Sequence, residues 1–113
     1  MKLITNKISL AELKEMAKNI FGDMVKAVVD IKKEIMAVDA GMHSDEESLL
    51  IEKGSEQQDL WGINIYPDEK EENQIEFDSM INIRPNQQNR SRRVESEETR
   101  ARIKEVVSKL IIK

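Results

Sequence analysis

Residues 75–84, IEFDSMINIR, alternate apolar and polar side chains and run directly into a proline. In an extended segment Ile75, Phe77, Ser79, Ile81 and Ile83 share one side, and Glu76, Asp78, Met80, Asn82 and Arg84 share the other. Such a strand buries one face and presents a polar row on the other. Pro85 has no backbone donor for a ladder and ends it. Asn86 to Arg93 then form a loop rich in arginine and amide side chains, with no acidic residue. Upstream, Trp61, Ile63 and Ile65 alternate with Gly62, Asn64 and Tyr66, and Pro67 opens the acidic link PDEKEEN. Residues 60–84 therefore read as an antiparallel hairpin with two apolar rows on one face. Asn64, Tyr66, Asp78, Asn82 and Arg84 occupy the opposite face.

The rest of the chain must supply partners for this hairpin. Residues 1–8 read as a short extended lead-in. Ser9 with Glu12 makes a capping box, Ile8 and Leu13 fill the staple positions, and Leu10, Leu13, Ala17, Ile20 and Phe21 form a stripe. The spacing predicts a helix over 10–20 that stops at Gly22. Residues 24–40, MVKAVVDIKKEIMAVDA, read as two strands joined around Lys32–Lys33, because the run before Asp30 is β-branched. A helix is the competing reading, since the stretch has no glycine or proline. Ser44 with Glu47 suggests a second capped helix that carries Leu49 and Leu50 inward and ends at Gly54. A last helix over 97–111, capped by Ser96, carries Ile103, Val106, Val107, Leu110 and Ile111. The expected fold is a single α+β domain over 1–113 in order α-β-β-α-β-β-α. Its two layers are a four-stranded, mainly antiparallel sheet and helices on one face.

Composition sets the bounds. The 113 residues predict a folded surface of roughly 6,400 Å². Only four residues are aromatic, so aliphatic side chains fill the core. With no cysteine, disulfides and thiolate chemistry are excluded. No signal-like or membrane-length apolar run is present, and a soluble cytoplasmic protein is the expectation. The net charge of -4 argues against a general nucleic-acid binder, because that role rests on neutralising phosphates. It leaves room for a local cationic site.

Arg84, Arg90, Arg92 and Arg93 supply that site. Guanidinium groups make paired, directional bonds to phosphates and carboxylates. Asn86 to Asn89 add donors and acceptors, and Asn64, Asp78 and Asn82 extend the loop into a polar face. The candidate ligand-binding set is Asn64, Asp78, Asn82, Arg84, Asn89, Arg90 and Arg92. Its ligand would be a phosphate-bearing metabolite, a short stretch of RNA or a carboxylate-rich peptide. The competing structural reading pairs these arginines with the acids of residues 68–78 and with Glu95, Glu97 and Glu98. The amides would then complete the loop's own backbone bonds. His43 with Asp45, Glu46 and Glu47 has the ingredients of a metal or acid–base site but lacks the i, i+4 spacing of a zinc helix. No metal, cofactor or catalytic residue is assigned. An alternative function is a small hydrolase or nuclease acting on a phosphorylated or RNA substrate, with His43 or Asp78 moving protons. Another is a homo-oligomeric domain, for example a homodimer, that pairs through its sheet edge or the face bearing Met80.

The segments DLWGINIYP (59–67) and IEFDSMINIRPNQQNRSR (75–92), with GDMVKAVVDI (22–31) and the histidine–acid segment 43–47, resemble a family of small, mostly bacterial proteins of unknown function. The resemblance spans almost the whole chain. It implies no reaction and no ligand, so it assigns no residue a role.

Overall fold

The computed structural model describes all of residues 1–113. In chain order the regular elements are β1 (Lys2–Ile4), β2 (Ile8–Ser9), α1 (Leu10–Asn19), β3 (Val25–Asp30), β4 (Ile35–Val38), α2 (His43–Glu52), β5 (Leu60–Ile65), β6 (Ile75–Glu76), α3 (Glu97–Leu110) and β7 (Ile111–Ile112). Short 3-10 turns lie between α2 and α3. Of the two readings of residues 24–40, the hairpin is the one that forms: β3 and β4 pair antiparallel, with Val28 opposite Ala37. Asp30 rather than the lysines shapes the turn. Its Oδ1 accepts from the N–H groups of Lys32 and Lys33, each at 2.9 Å, and Oδ2 accepts from the Ser55 hydroxyl at 2.6 Å. Glu34 takes the left-handed position, φ 59°.

The sheet corrects the expected architecture. It has five strands in the order β1-β4-β3-β5-β6, and a separate parallel pair joins β2 to β7. The lead-in at residues 2–4 becomes an edge strand on β4, with Leu3 opposite Ala37. The helices do not share one face. Val25, Ala27 and Val29 of β3 pack with Leu13 and Ala17 of α1 and with Ile103 and Val106 of α3. Val28, on the other face, packs with Ala37, Leu60 and Leu50 of α2. β3 is apolar along its α1/α3 face, and on the α2 face Val28 is apolar where α2 covers it, between the polar Lys26 and Asp30.

The segment 75–84 is also corrected. Only Ile75 and Glu76 pair with β5, opposite Ile65 and Asn64. The chain then turns through a 3-10 turn at Met80–Asn82. Ile75 and Phe77 pack on the α1/α3 side, while Ile81 packs with Leu50 and Leu60 on the α2 side. The alternation thus serves two cores, reached by a chain that crosses the sheet edge.

Helix termini follow the sequence at most places. The Ser9 side chain accepts from Glu12 N–H and the Ser96 side chain from Thr99 N–H. Gly54, φ +102°, closes α2 with Ser55 N–H on the Leu50 carbonyl at 2.9 Å, the pairing of a Schellman end. α2 starts earlier than its capping pattern suggested. Met42 is the N-cap, and Ser44 makes no cap bond. The total surface is 6330 Å², close to the scaling expectation.

Candidate functional site

The polar residues of the 75–95 segment meet the outer edge of β5. Beyond the short β6, that edge would present bare N–H and C=O groups, a template for a foreign strand. Side chains cover it instead. Asn82 Oδ1 accepts from Gly62 N–H at 2.8 Å, and its Nδ2 donates to the Gly62 and Arg92 carbonyls, each at 3.0 Å. Its amide reproduces the two bonds of a missing strand. Arg84 Nη2 donates to the Leu60 carbonyl at 2.6 Å and Nη1 to that of Gln57, while the guanidinium lies 4.2 Å from the Trp61 ring centroid. Burial pulls the Arg84 pKa down, opposed by the charges of Glu47 and Asp59.

Asn89 organises the loop itself. Its backbone pairs with Arg84, its Nδ2 contacts the carbonyls of Asn82, Ser91 and Arg93 at 2.7, 3.1 and 2.7 Å, and its Oδ1 accepts from Glu95 N–H at 2.8 Å. The Glu95 carboxylate in turn accepts from the Ser91 hydroxyl and from the N–H groups of Arg90 and Ser91. These bonds, the hydroxyl first, hold its pKa below the usual carboxylate range. Asn82, Arg84 and Asn89 are therefore buried and spent on the fold.

The other arginines differ. Arg92 makes a two-point pair with Asp78, 2.7 Å from Nε to Oδ1 and 3.2 Å from Nη2 to Oδ2, with both side chains half exposed. That pair raises the Arg92 pKa. Arg90 and Arg93 are exposed, and neither side chain makes a hydrogen bond or an ion pair within the chain. The loop backbone is fixed while these two side chains stay unspent.

Asn64 belongs to a different group. Register places Lys26 of β3 opposite Asn64 of β5, and Asn64 opposite Glu76 of β6, so the three share the α2 face of the sheet. Asn64 Nδ2 and the Tyr66 hydroxyl both donate to Glu76 Oε1, at 2.8 and 3.1 Å. Above this row the first turn of α2 buries His43 and Glu46. His43 Nε2 donates to the Ile63 carbonyl at 2.7 Å, which fixes the proton on that nitrogen and leaves Nδ1 as an acceptor. Burial chiefly lowers the His43 pKa and the Ile63 bond opposes it; the charges of Lys26, Asp78 and Arg92 also reach the ring. Glu46 Oε2 accepts from Ala40 N–H at 3.0 Å, and burial pushes its pKa up to about 9.

The structure thus joins Asp78 to Arg92 and brings Asn82, Arg84 and Asn89 together as edge and loop supports. Asn64 is tied to Glu76 instead. From the sequence, His43 enters only in the alternative hydrolase, Glu46 only beside it in a metal or acid–base grouping that its spacing disfavours, and Lys26 not at all. A signal existed for Lys26, whose polar side chain interrupts the apolar alternation of β3. Glu46 looked like an ordinary first-turn acid. No three metal-binding side chains converge anywhere in the chain.

A family model described as a protein of unknown function (DUF5674) matches residues 2–110. No curated protein and no solved structure matches the chain.

Proposed function

The chain belongs to DUF5674, a family of small uncharacterised proteins, so its role has to be argued from geometry, and we propose that it is an anion-binding domain. The ligand carries a phosphate or carboxylate group, received by Arg90, Arg92 and Arg93 of the 84–93 loop. The observation that carries this reading is the division of labour among the arginines. Arg84 is buried against carbonyls, whereas Arg90 and Arg93 project without partners from a backbone held by Asn89 and Glu95. A fixed backbone lowers the ordering cost of binding. Arg92 uses two of its five N–H donors on Asp78 and keeps three.

The experiment is a titration of the protein with inorganic phosphate, an acidic peptide and a short RNA, followed by amide chemical shifts. Phosphate is expected to move resonances of residues 90–95, and an Arg90→Ala/Arg93→Ala double variant to bind about tenfold or more weakly, the loss of ~1.4 kcal/mol or more. Equal affinity in both proteins would overturn the reading.

A further inference from the structure

Two receptors for an oxyanion lie in the segment after Asn89, and the chain's own carboxylates fill both. The first is a pair of successive backbone N–H groups. Arg90 and Ser91 donate to Glu95 Oε2 at 2.8 and 2.9 Å, and the Ser91 hydroxyl adds a third bond at 2.9 Å. Consecutive amides aimed at one oxygen make the kind of concavity that binds free phosphates and carboxylates. The second is the side edge of Arg92. Its Nε and Nη2 grip Asp78 Oδ1 and Oδ2 at 2.7 and 3.2 Å, the two-point geometry that a guanidinium also offers to phosphate.

The two carboxylates are held very differently. Glu95 is locked, because its three bonds close the loop and its own N–H is fixed on Asn89 Oδ1 at 2.8 Å. The Asp78 carboxylate has no hydrogen bond besides those to Arg92, and the two side chains are 41 and 52% exposed. Exposed pairs of this kind are weak, so an incoming anion can displace the carboxylate. The backbone stays in place during the exchange, since Ser79 N–H and Asn82 Nδ2 hold the Arg92 carbonyl at 3.1 and 3.0 Å. Only two side chains need to move. With Asp78 still in place, an anion on the remaining donors of Arg92 would face a like charge across one guanidinium.

We infer that Asp78 is a built-in competitor for the anion site: its carboxylate occupies Arg92 in the free protein and gives way when a phosphate-bearing ligand binds. The inference rests on the anion-binding reading above and adds its regulation. Arg90 and Arg93 capture the anion, and Arg92 joins them as Asp78 turns away. Affinity is thereby held below what three unoccupied arginines would give.

The test compares four full-length proteins, the wild type, Asp78→Asn, Arg92→Ala and the double variant, each titrated with inorganic phosphate and followed by amide chemical shifts. Asp78→Asn keeps the shape of a half-exposed side chain, so the fold should persist. It is expected to bind phosphate about fivefold more tightly than the wild type, through a lost competitor and a lost like charge. In the Arg92→Ala background nothing is left to compete for, and the same change should give about twofold or less, from charge alone. Unchanged or weaker binding by Asp78→Asn would overturn the inference and make Asp78 a support that orients Arg92. An equal or larger gain in the Arg92→Ala background would overturn it too, since charge alone would then account for the effect. Either result leaves the anion site standing if phosphate binding still depends on Arg90 and Arg93. No binding by any of the four proteins would overturn both.

Discussion

Gly62 sits in the middle of β5, where a side chain would ordinarily strengthen a strand. It has none because Ser79 crosses directly over it: an added Cβ would lie 2.5 Å from Ser79 Cβ and 3.1 Å from Ile81 Cγ1. Gly62→Ala is expected to cost about 1–3 kcal/mol, the range for forcing atoms into a packed site, read from the urea unfolding midpoint. Glu46 poses the opposite problem, a polar group kept inside. Its pKa rises from 4.5 to about 9, because burial outweighs the Ala40 N–H bond. Below pH 4.5 both folded and unfolded forms are protonated and the group is neutral toward stability. As pH rises between 4.5 and about 9, the unfolded chain releases the proton and the folded chain keeps it, so stability is lost across that window. At pH 7 the loss amounts to about 3 kcal/mol by linkage. Glu46→Gln keeps an acceptor for Ala40 and removes the titration. Unfolding free energy of this variant should therefore decline less between pH 5 and 8 than that of the wild type, and an identical pH profile would show that Glu46 titrates normally.

The edge of β5 shows what a sequence conveys at the scale of elements. α1, α3, the β3–β4 hairpin and β5 were legible because each signal is local: Ser9 and Ser96 three residues before the N–H they cap, β-branched runs around Asp30, alternation from Trp61 to Ile65. The segment after Glu76 was not. Its alternation is real, but Phe77 and Ile81 answer to cores on opposite sides of the sheet, and nothing local tells a strand from a crossing turn. Single-sided helix packing failed for a related reason, since no local signal says that α2 covers Val28 and Ala37 on the second face. The arginine and amide loop was legible as polar. Which side chains it spends internally depends on carbonyls some twenty residues away, at Gly62 and Leu60. That assignment makes Asn82 a strand substitute and gives a prediction. Asn82→Asp keeps the shape but cannot donate to the Gly62 and Arg92 carbonyls. The buried Gly62 carbonyl loses its partner, the Arg92 carbonyl is left with Ser79 N–H alone, and a charge enters, so a cost of about 2–5 kcal/mol is expected from thermal or urea unfolding. The bared edge should also raise self-association, measured by light scattering at matched concentration. A variant as stable and monodisperse as the wild type would mean that another group already seals β5.

For the molecule as a whole, charge and core do separate jobs. The chain carries 18 basic and 22 acidic side chains, yet its ion pairs lie at the surface. Even Glu34, shared by Lys109 and Arg102, is 35% exposed at its side chain, and Lys113 and Glu71 are about 70% exposed. Such pairs contribute about 0–1 kcal/mol each at low salt and less when screened. Screening also relaxes the repulsion of a net charge of -4. The two effects oppose each other, while the aliphatic packing between the sheet and its helices is indifferent to ionic screening. Folding stability is therefore expected to change by less than about 1 kcal/mol between roughly 0.05 and 0.5 M sodium chloride. Ligand binding should behave otherwise. The side chains of Arg90 and Arg93 make no hydrogen bond or ion pair within the chain, and Arg90 has only the longer-range attraction of Glu95, so salt competes directly with their anion. Phosphate affinity should drop severalfold over the same range in the wild type, and the Arg90→Ala/Arg93→Ala variant should lose most of that dependence. A steep salt dependence of folding, or a flat one for phosphate, would mean that charge is used in the reverse of this arrangement.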